Sequence, residues 1–312
     1  MSNPIPAPFG NPALRAYLAM LRRDRFAVIA VTVLILVLVT GLVIAPLMGD
    51  AAVLQDLRAR MRPPFQLQFG LHSLLGTDLL GRSVLYRLAA GAQLSVSIAL
   101  TAAVAAATIG TAIGIWAGYA GGIVEGVAMR IADVILSFPT LLLALLFLYL
   151  LDSQTGNIIL LLIIGRVPLY IRVARAETLE TRGRLFVDAA RSLGATSWTI
   201  CTREIAPVVL PTILTLAALD VGVLMLLESG LSFLGLGVQP PAVSWGGMVA
   251  EGRRWINSAW WLTLFPGLAI FLTALSATIF SNWLRVAMDP AHRWRLEGTR
   301  PGAASARSGI AS

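Results

Sequence analysis

Long uncharged apolar runs alternate with short arginine-bearing segments along this chain, and most of the runs are long enough to cross a bilayer as helices. The first, Phe26 to Gly49, carries no charge and exceeds the apolar core of a signal peptide, so it predicts an uncleaved membrane anchor. The second, Leu88 to Ala120, is alanine-rich and sets Gly110, Gly114 and Gly118 four residues apart, a face that lets another helix approach closely. A third span is predicted from Val134 to Leu151 after a short turn, bent at Pro139. The fourth runs from Asn157 to Gly165, where Arg166 and Pro168 interrupt the apolar pattern. Pro207 to Leu227 and Leu262 to Leu284 predict the fifth and sixth. Between these two, residues 229–261 cannot cross as one helix, because Pro240-Pro241 and several glycines break them. They predict an outer, partly re-entrant loop with Trp255, Trp260 and Trp261 as interfacial anchors.

The polar segments divide the chain. Residues 1–25 begin as a proline-rich tail, and Asn11 can cap a helix with Pro12 in its first position. Leu14, Tyr17, Leu18 and Leu21 then form one stripe opposite Arg15, Arg22 and Arg23, as in a helix lying on the inner membrane surface. Residues 26–49 form the first span, 50–87 an extracytoplasmic segment, 88–287 the core of the bundle and 288–312 a cytoplasmic tail. With six spans, sixteen of the 24 arginines fall on the side of the two termini, the bias expected of the cytoplasmic face.

The stretch 186–207, FVDAARSLGATSWTICTREIAP, lies between two apolar spans and is far more polar than either, and the same bias places it in the cytoplasm. Asp188-Ala189-Ala190 opens a short helix that Leu193 and Gly194 close. Thr196 or Ser197 caps a second helix running toward Glu204, and Pro207 stops the pattern. Small residues at Ala189 and Ala190 leave room for the backbone of another protein.

Composition supports the membrane reading and removes several alternatives. The chain is 57% hydrophobic and 13% charged, with a mean hydropathy of +0.80, where soluble domains carry about 25% charged residues. Its net charge of +8 comes from arginine alone, since there is no lysine. A Walker A loop and a Schiff-base amine are therefore both excluded. The lone Cys201 permits no internal disulfide, and two separated histidines, His72 and His292, make no zinc site. The arginines flank apolar spans, which fits topology better than nucleic-acid binding.

Asp220 stands near the middle of the fifth span, and Glu228 ends it. A carboxylate at bilayer depth costs about 2.5–3.5 kcal/mol on insertion scales and must face protein or water. Asp220 can be a pathway carboxylate that attracts a cationic group, or one half of a buried ion pair with Arg166. Glu228 can contact cargo or orient the outer loop.

Three motifs resemble one family. The 186–207 stretch resembles the EAA loop of importer-type ABC permeases: Ala189, Ala190, Gly194 and Pro207 match, Asp188 stands for glutamate, and Glu204 and Ala206 depart from the usual isoleucine and leucine. The run HSLLGTDLLGRS from His72 resembles the outer signature of the dipeptide, oligopeptide and nickel branch, with Gly76, Thr77, Asp78, Leu80, Gly81 and Arg82 matched and Ser83 replacing an aspartate. LSFLGLGVQPP followed by SWG resembles the same branch, whose second permease subunit the chain is similar to over about residues 11–295. The resemblance implies an all-α integral membrane fold of the type I importer permease, with six transmembrane helices and cytoplasmic coupling helices. It also implies a bacterial inner-membrane location, a homologous permease as heterodimer partner, two ATPases that bind ATP and Mg, and an extracytoplasmic substrate-binding protein. Asp188, Ala189, Ala190, Arg191, Gly194, Ala195 and Pro207 would form the ATPase-coupling surface, with Asp220, Arg166 and Glu228 along the path. No catalytic, metal or cofactor residue is expected in this chain. The rivals are a proton-coupled carrier using Asp220 and Glu228, and a permease-like scaffold or sensor that moves nothing.

Overall fold

The computed structural model describes residues 12–288, apart from 67, 69 and 152, so the expected cap at Asn11 and the 289–312 tail lie outside the described residues. Among the described residues five helices are long and apolar enough to span a bilayer: α2 (Arg25–Leu47), α3 (Val84–Ala120), α6 (Thr155–Arg182), α8 (Ser197–Phe233) and α10 (Trp261–Met288). The sixth expected span is the broken pair α4 (Gly122–Ser137) and α5 (Thr140–Leu151), which meet at 90°. Pro139 forces Phe138 into extended backbone (φ −86°, ψ 134°), and this separates the two rods more sharply than a bend within one helix. Shorter helices complete the set: α1 (Pro12–Arg23), α7 (Leu185–Ser192) and α9 (Trp245–Gly252).

Asp24 separates α1 from α2 and caps the latter, its carboxylate accepting from the Phe26 and Ala27 amides at 3.0 and 3.1 Å. Met20, Tyr17 and Leu21 of α1 pack with Ala27, Phe280, Trp283 and Ala287, whereas Leu18 of the expected stripe is exposed.

The alanine- and glycine-rich α3 is the axis of the bundle, 37 residues and about 55 Å long at 1.5 Å per residue. Ser83 caps its start, four residues before the expected Leu88, by accepting from the Tyr86 amide, so this serine takes over the cap an aspartate would provide. Gly110, Gly114 and Gly118 do face another helix. A Cβ added at each would lie 2.5 Å from Tyr170 Cβ, 2.6 Å from the Ile171 carbonyl oxygen and 2.9 Å from Thr178 Cβ, all on α6.

Two expectations based on proline and charge fail. Arg166 and Pro168 do not interrupt the fourth span, because α6 runs through both as one 28-residue helix. Pro207 does not stop the helix after the hairpin either. A π-helical turn at Ile200–Ile205, closed by the Ala206 amide on the Cys201 carbonyl, precedes it. Pro207 then sits in the first positions of the following α-helical stretch, where a missing N–H costs little. The rod therefore continues to Phe233, past the expected end at Leu227, and places Glu228 inside the helix.

Opposite the hairpin, the segment before α3 folds as a compact knot. Asp78 Oδ1 accepts from the Leu80 and Arg82 amides, both at 2.9 Å, and the Thr77 hydroxyl donates to the Ala59 carbonyl. Gly76 and Gly81 are required here at positive φ, +81° and +74°. A Cβ on Gly81 would lie 1.7 Å from the Asp56 carbonyl oxygen. Trp261 is not an interfacial anchor. It is buried, and its indole N–H donates to the Thr77 carbonyl at 3.2 Å, while Trp260 remains exposed.

Candidate functional site

Four groups of polar residues carry the candidate chemistry, one at each end of the bundle and two within it.

At the hairpin end, α7 starts at Leu185 rather than at Asp188, which instead sits in its first turn, where a carboxylate complements the helix dipole. The Asp188 carboxylate is exposed and pairs with Arg191 at 3.2 Å. Gly194 takes φ +82°, and the Ala195 amide returns to the Ala190 carbonyl at 3.1 Å, closing the turn. Thr196, the expected cap, accepts from the Thr199 amide at 3.3 Å. Val187, Ile200 and Ile205 are buried against Tyr170 and Ala174, so the hairpin is seated on α6. Its outer surface is apolar: Leu185 and Leu193 are each 88% exposed and Trp198 is 70% exposed. Ala189 is exposed, Ala190 and Ala195 are half-buried, and Pro207 is exposed on α8. The sequence reading missed Leu185, Leu193 and Trp198, whose signal was apolar side chains in an otherwise polar stretch.

The end of α6 and the hairpin both touch α3. Arg182 Nη1 donates to the Gly118 carbonyl at 2.8 Å, and the Arg191 guanidinium lies 6.0 Å from the Tyr119 ring centroid.

Within the bundle, Arg166 and Asp220 meet as a two-point fork, Nε to Oδ2 at 3.0 Å and Nη2 to Oδ1. Asp220 is fully buried, and the Arg166 side chain is 23% exposed. The pair satisfies both charges across α6 and α8. Tyr170, one turn from Arg166, is buried with no hydrogen-bond partner for its hydroxyl among the described residues.

Glu228 is elsewhere, eight residues further along α8, or about 12 Å along its axis. It is fully buried, and Oε1 accepts from the Ser232 hydroxyl at 2.7 Å. Ser232 in turn lies 3.4 Å from the hydroxyl of Ser244, which caps α9 by accepting from the Gly247 amide at 3.1 Å. The next residue, Trp245, donates its amide to Ser95 at 3.1 Å and its indole N–H to the Leu88 carbonyl at 2.8 Å. Glu228 thus belongs to a buried polar joint among α3, α8 and α9, and the geometry does not bring it together with Asp220.

At the knot, Arg87 Nη1 lies 2.6 Å from Asp78 Oδ2 and 2.9 Å from Glu251 Oε2, and Arg82 Nη2 lies 3.6 Å from the same Glu251 oxygen. Both of these arginines are thereby paired with carboxylates. Glu251 gave no sequence signal, since its partners lie more than 160 residues away in the chain.

Two of the three motifs thus have physical explanations: the knot needs Gly76, Asp78, Gly81 and Arg82, and the joint needs the serines of LSF and SWG. Residues 110–294 match the family described as "Binding-protein-dependent transport system inner membrane component". A putative peptide transport system permease protein of Brucella suis is 37% identical over 92% of this chain and 94% of its own length. A probable D,D-dipeptide transport system permease protein of Escherichia coli K12 is 34% identical over 75% and 77%. A glutathione transport system permease protein of Escherichia coli O1:K1 is 38% identical over 69% and 71%. A lysine-free helical bundle with no Walker A loop, with these motifs and with this extent of likeness, belongs to the inner-membrane components of binding-protein-dependent transport systems, the permease subunits of ABC importers.

Proposed function

We propose that this permease carries short peptides or peptide-like solutes inward by alternating access, driven by ATPase subunits that seat on the α7 hairpin. The apolar knob of the exposed Leu185 and Leu193 at the two ends of α7, on a buried base of Val187, Ile200 and Ile205, carries this reading. Such a surface is costly to leave in water, and a partner that covers it gains a rigid handle on α6 and α8. Asp188 and Arg191 rim the knob, and Ala189, Ala190 and Ala195 keep its flanks low enough for close approach. Gly194 sets the bend, and Pro207 lies beyond the π-turn on α8.

In this reading the hairpin end and both termini face the cytoplasm. The knot end faces the substrate-binding protein, and a homologous permease covers the remaining apolar flank. One such flank is a cavity of about 480 Å3 between α3 and α8, lined by Ile115, Trp116, Leu210 and Leu214. ATP and Mg are held by the ATPases, and lipid covers the rest of the apolar belt. Peptide cargo is supported by the names of the relatives, which span D,D-dipeptides, peptides and glutathione. Asp220, Arg166 and Glu228 serve the path indirectly, by fixing the helices that line it.

The test is uptake of a labelled dipeptide into vesicles holding both permeases and the ATPases, with the cognate binding protein and ATP inside. Vanadate should stop it and a protonophore should not. Leu193→Glu should abolish co-purification of the ATPase while the permease pair still forms. Uptake that collapses with the proton gradient and ignores vanadate would overturn the reading.

A further inference from the structure

We propose that Glu251, with Arg82 and Arg87, is a releasable latch between the free end of α9 and the knot end of α3, opened when the power stroke reaches α3 through the hairpin. The inference rests on the ATP-driven reading above.

The cluster is asymmetric in a way that favours opening on one side. Asp78 is nearly fully buried and is held by backbone amides as well as by Arg82 Nε at 2.6 Å and Arg87 Nη1 at 2.6 Å. Among the described residues Glu251 is bound by its two charge contacts alone, and its side chain is 43% exposed. If Glu251 leaves, Arg87 keeps Asp78 and no buried charge is stranded, while the departing carboxylate moves into water. Separation at the Asp78 side would instead pull a nearly fully buried carboxylate away from both of its arginines, a far costlier event. The joint is therefore strong within α3 and the knot, and weak toward α9.

The rest of α9 is arranged as a lever. Its first residue, Trp245, is 2% exposed and lies so close to α3 that a Cβ on Gly91 would be 2.7 Å from Trp245 Cδ1. Glu251 is six residues on, about 9 Å from that pivot along the helix. At its start α9 lies against α8, and just past Glu251 it lies against α10, so it moves with both. A Cβ on Gly246 would come within 2.6 Å of Ser229 Cα, and one on Gly252 within 2.8 Å of the Leu262 carbonyl carbon. Movement of α8 and α10 against α3 is thus concentrated at the Glu251 end. A gap of only about 20 Å3, bounded by Asp78, Arg87, Met248 and Glu251, separates the parts there, so the latch is closed in this structure. The far end of α3 is held by Arg182 and Arg191 of the hairpin region, so one rod connects the handle to the latch.

The test uses the complete complex of both permeases, ATPases and binding protein in vesicles. Glu251→Gln should raise ATP hydrolysis in the absence of binding protein about two- to fivefold, the range of one partly exposed charge pair. It should also lower cargo moved per ATP, with the thermal midpoint unchanged. High salt should raise the basal rate of the natural complex and leave the variant's rate where it is. In a Cys201→Ser background, Glu251→Cys with Arg82→Cys joined by a short cleavable thiol crosslinker should stop uptake, and cleavage should restore it. A Glu251→Gln complex with the natural basal rate, or a crosslinked complex that still transports, overturns the latch. A natural complex showing no ATP-driven uptake overturns the functional reading instead.

Discussion

Removing either partner of the Arg166–Asp220 fork should destabilise the protein sharply, and removing both should largely repair it. Asp220 is fully buried, and breaking a buried pair by deleting one member costs about 3–5 kcal/mol, because the other charge is left uncompensated. Arg166 keeps 23% exposure, so Asp220→Ala strands a guanidinium that reaches some water, and the lower end, about 3 kcal/mol, applies. Arg166→Met strands the buried carboxylate, with the unpartnered Tyr170 hydroxyl beside it as a substitute donor, and should cost a similar amount. At about 2–4 °C per kcal/mol, each single variant should lower the thermal midpoint in detergent by roughly 6–12 °C. The double variant Arg166→Met/Asp220→Leu replaces a desolvated pair with apolar volume and should fall within about 1 kcal/mol of the natural protein. The four proteins make a double-mutant cycle whose coupling term isolates the pair. If the double variant melts as low as the singles, mutual neutralisation is not what lets these charges reside in the bundle.

Gly114→Ala should cost about 1–3 kcal/mol, because its methyl would enter the Ile171 backbone at 2.6 Å; a lowered thermal midpoint checks this, with Gly126→Ala, which meets nothing within 4 Å, as the neutral control. Gly81→Ala combines a clash with the Asp56 carbonyl and an unfavourable φ, so limited trypsin digestion should cut the 50–83 segment at Arg58 or Arg60 faster than in the natural protein. Glu228→Gln preserves an acceptor for Ser232, whereas Glu228→Leu orphans that hydroxyl; the leucine variant should be less stable by about 1–3 kcal/mol, and equal thermal midpoints would refute the joint.

Apolar run length and the three motifs were enough to read the membrane class, the approximate spans and the hairpin. Local chemistry was legible where its determinants are neighbours, as with Gly194 closing α7 and Thr196 capping α8. It failed where distant residues decide the outcome. The Arg166–Asp220 pair was legible as one of two readings of a carboxylate at bilayer depth, yet Arg166 still looked like an interruption of the fourth span, because only the fold shows a helix running through it. Pro207 looked like a stop because a π-turn cannot be distinguished from an α-turn by composition. Trp261 looked like a lipid anchor because an indole suits both an interface and a buried carbonyl, and only the fold brings Thr77 to it. Glu251 was invisible for the same reason.

The π-turn at Ile200–Ile205 also determines the direction in which the knob points. Each residue of an α-helix advances the side-chain azimuth by about 100°, so one surplus peptide in that turn rotates everything before it relative to the membrane portion of α8. Deleting a single residue there should leave insertion intact yet swing Trp198 and the α7 hairpin off their seat, abolishing ATPase co-purification. The angle between the α7 hairpin and the membrane portion of α8 is thus set by chain length rather than by any particular side chain.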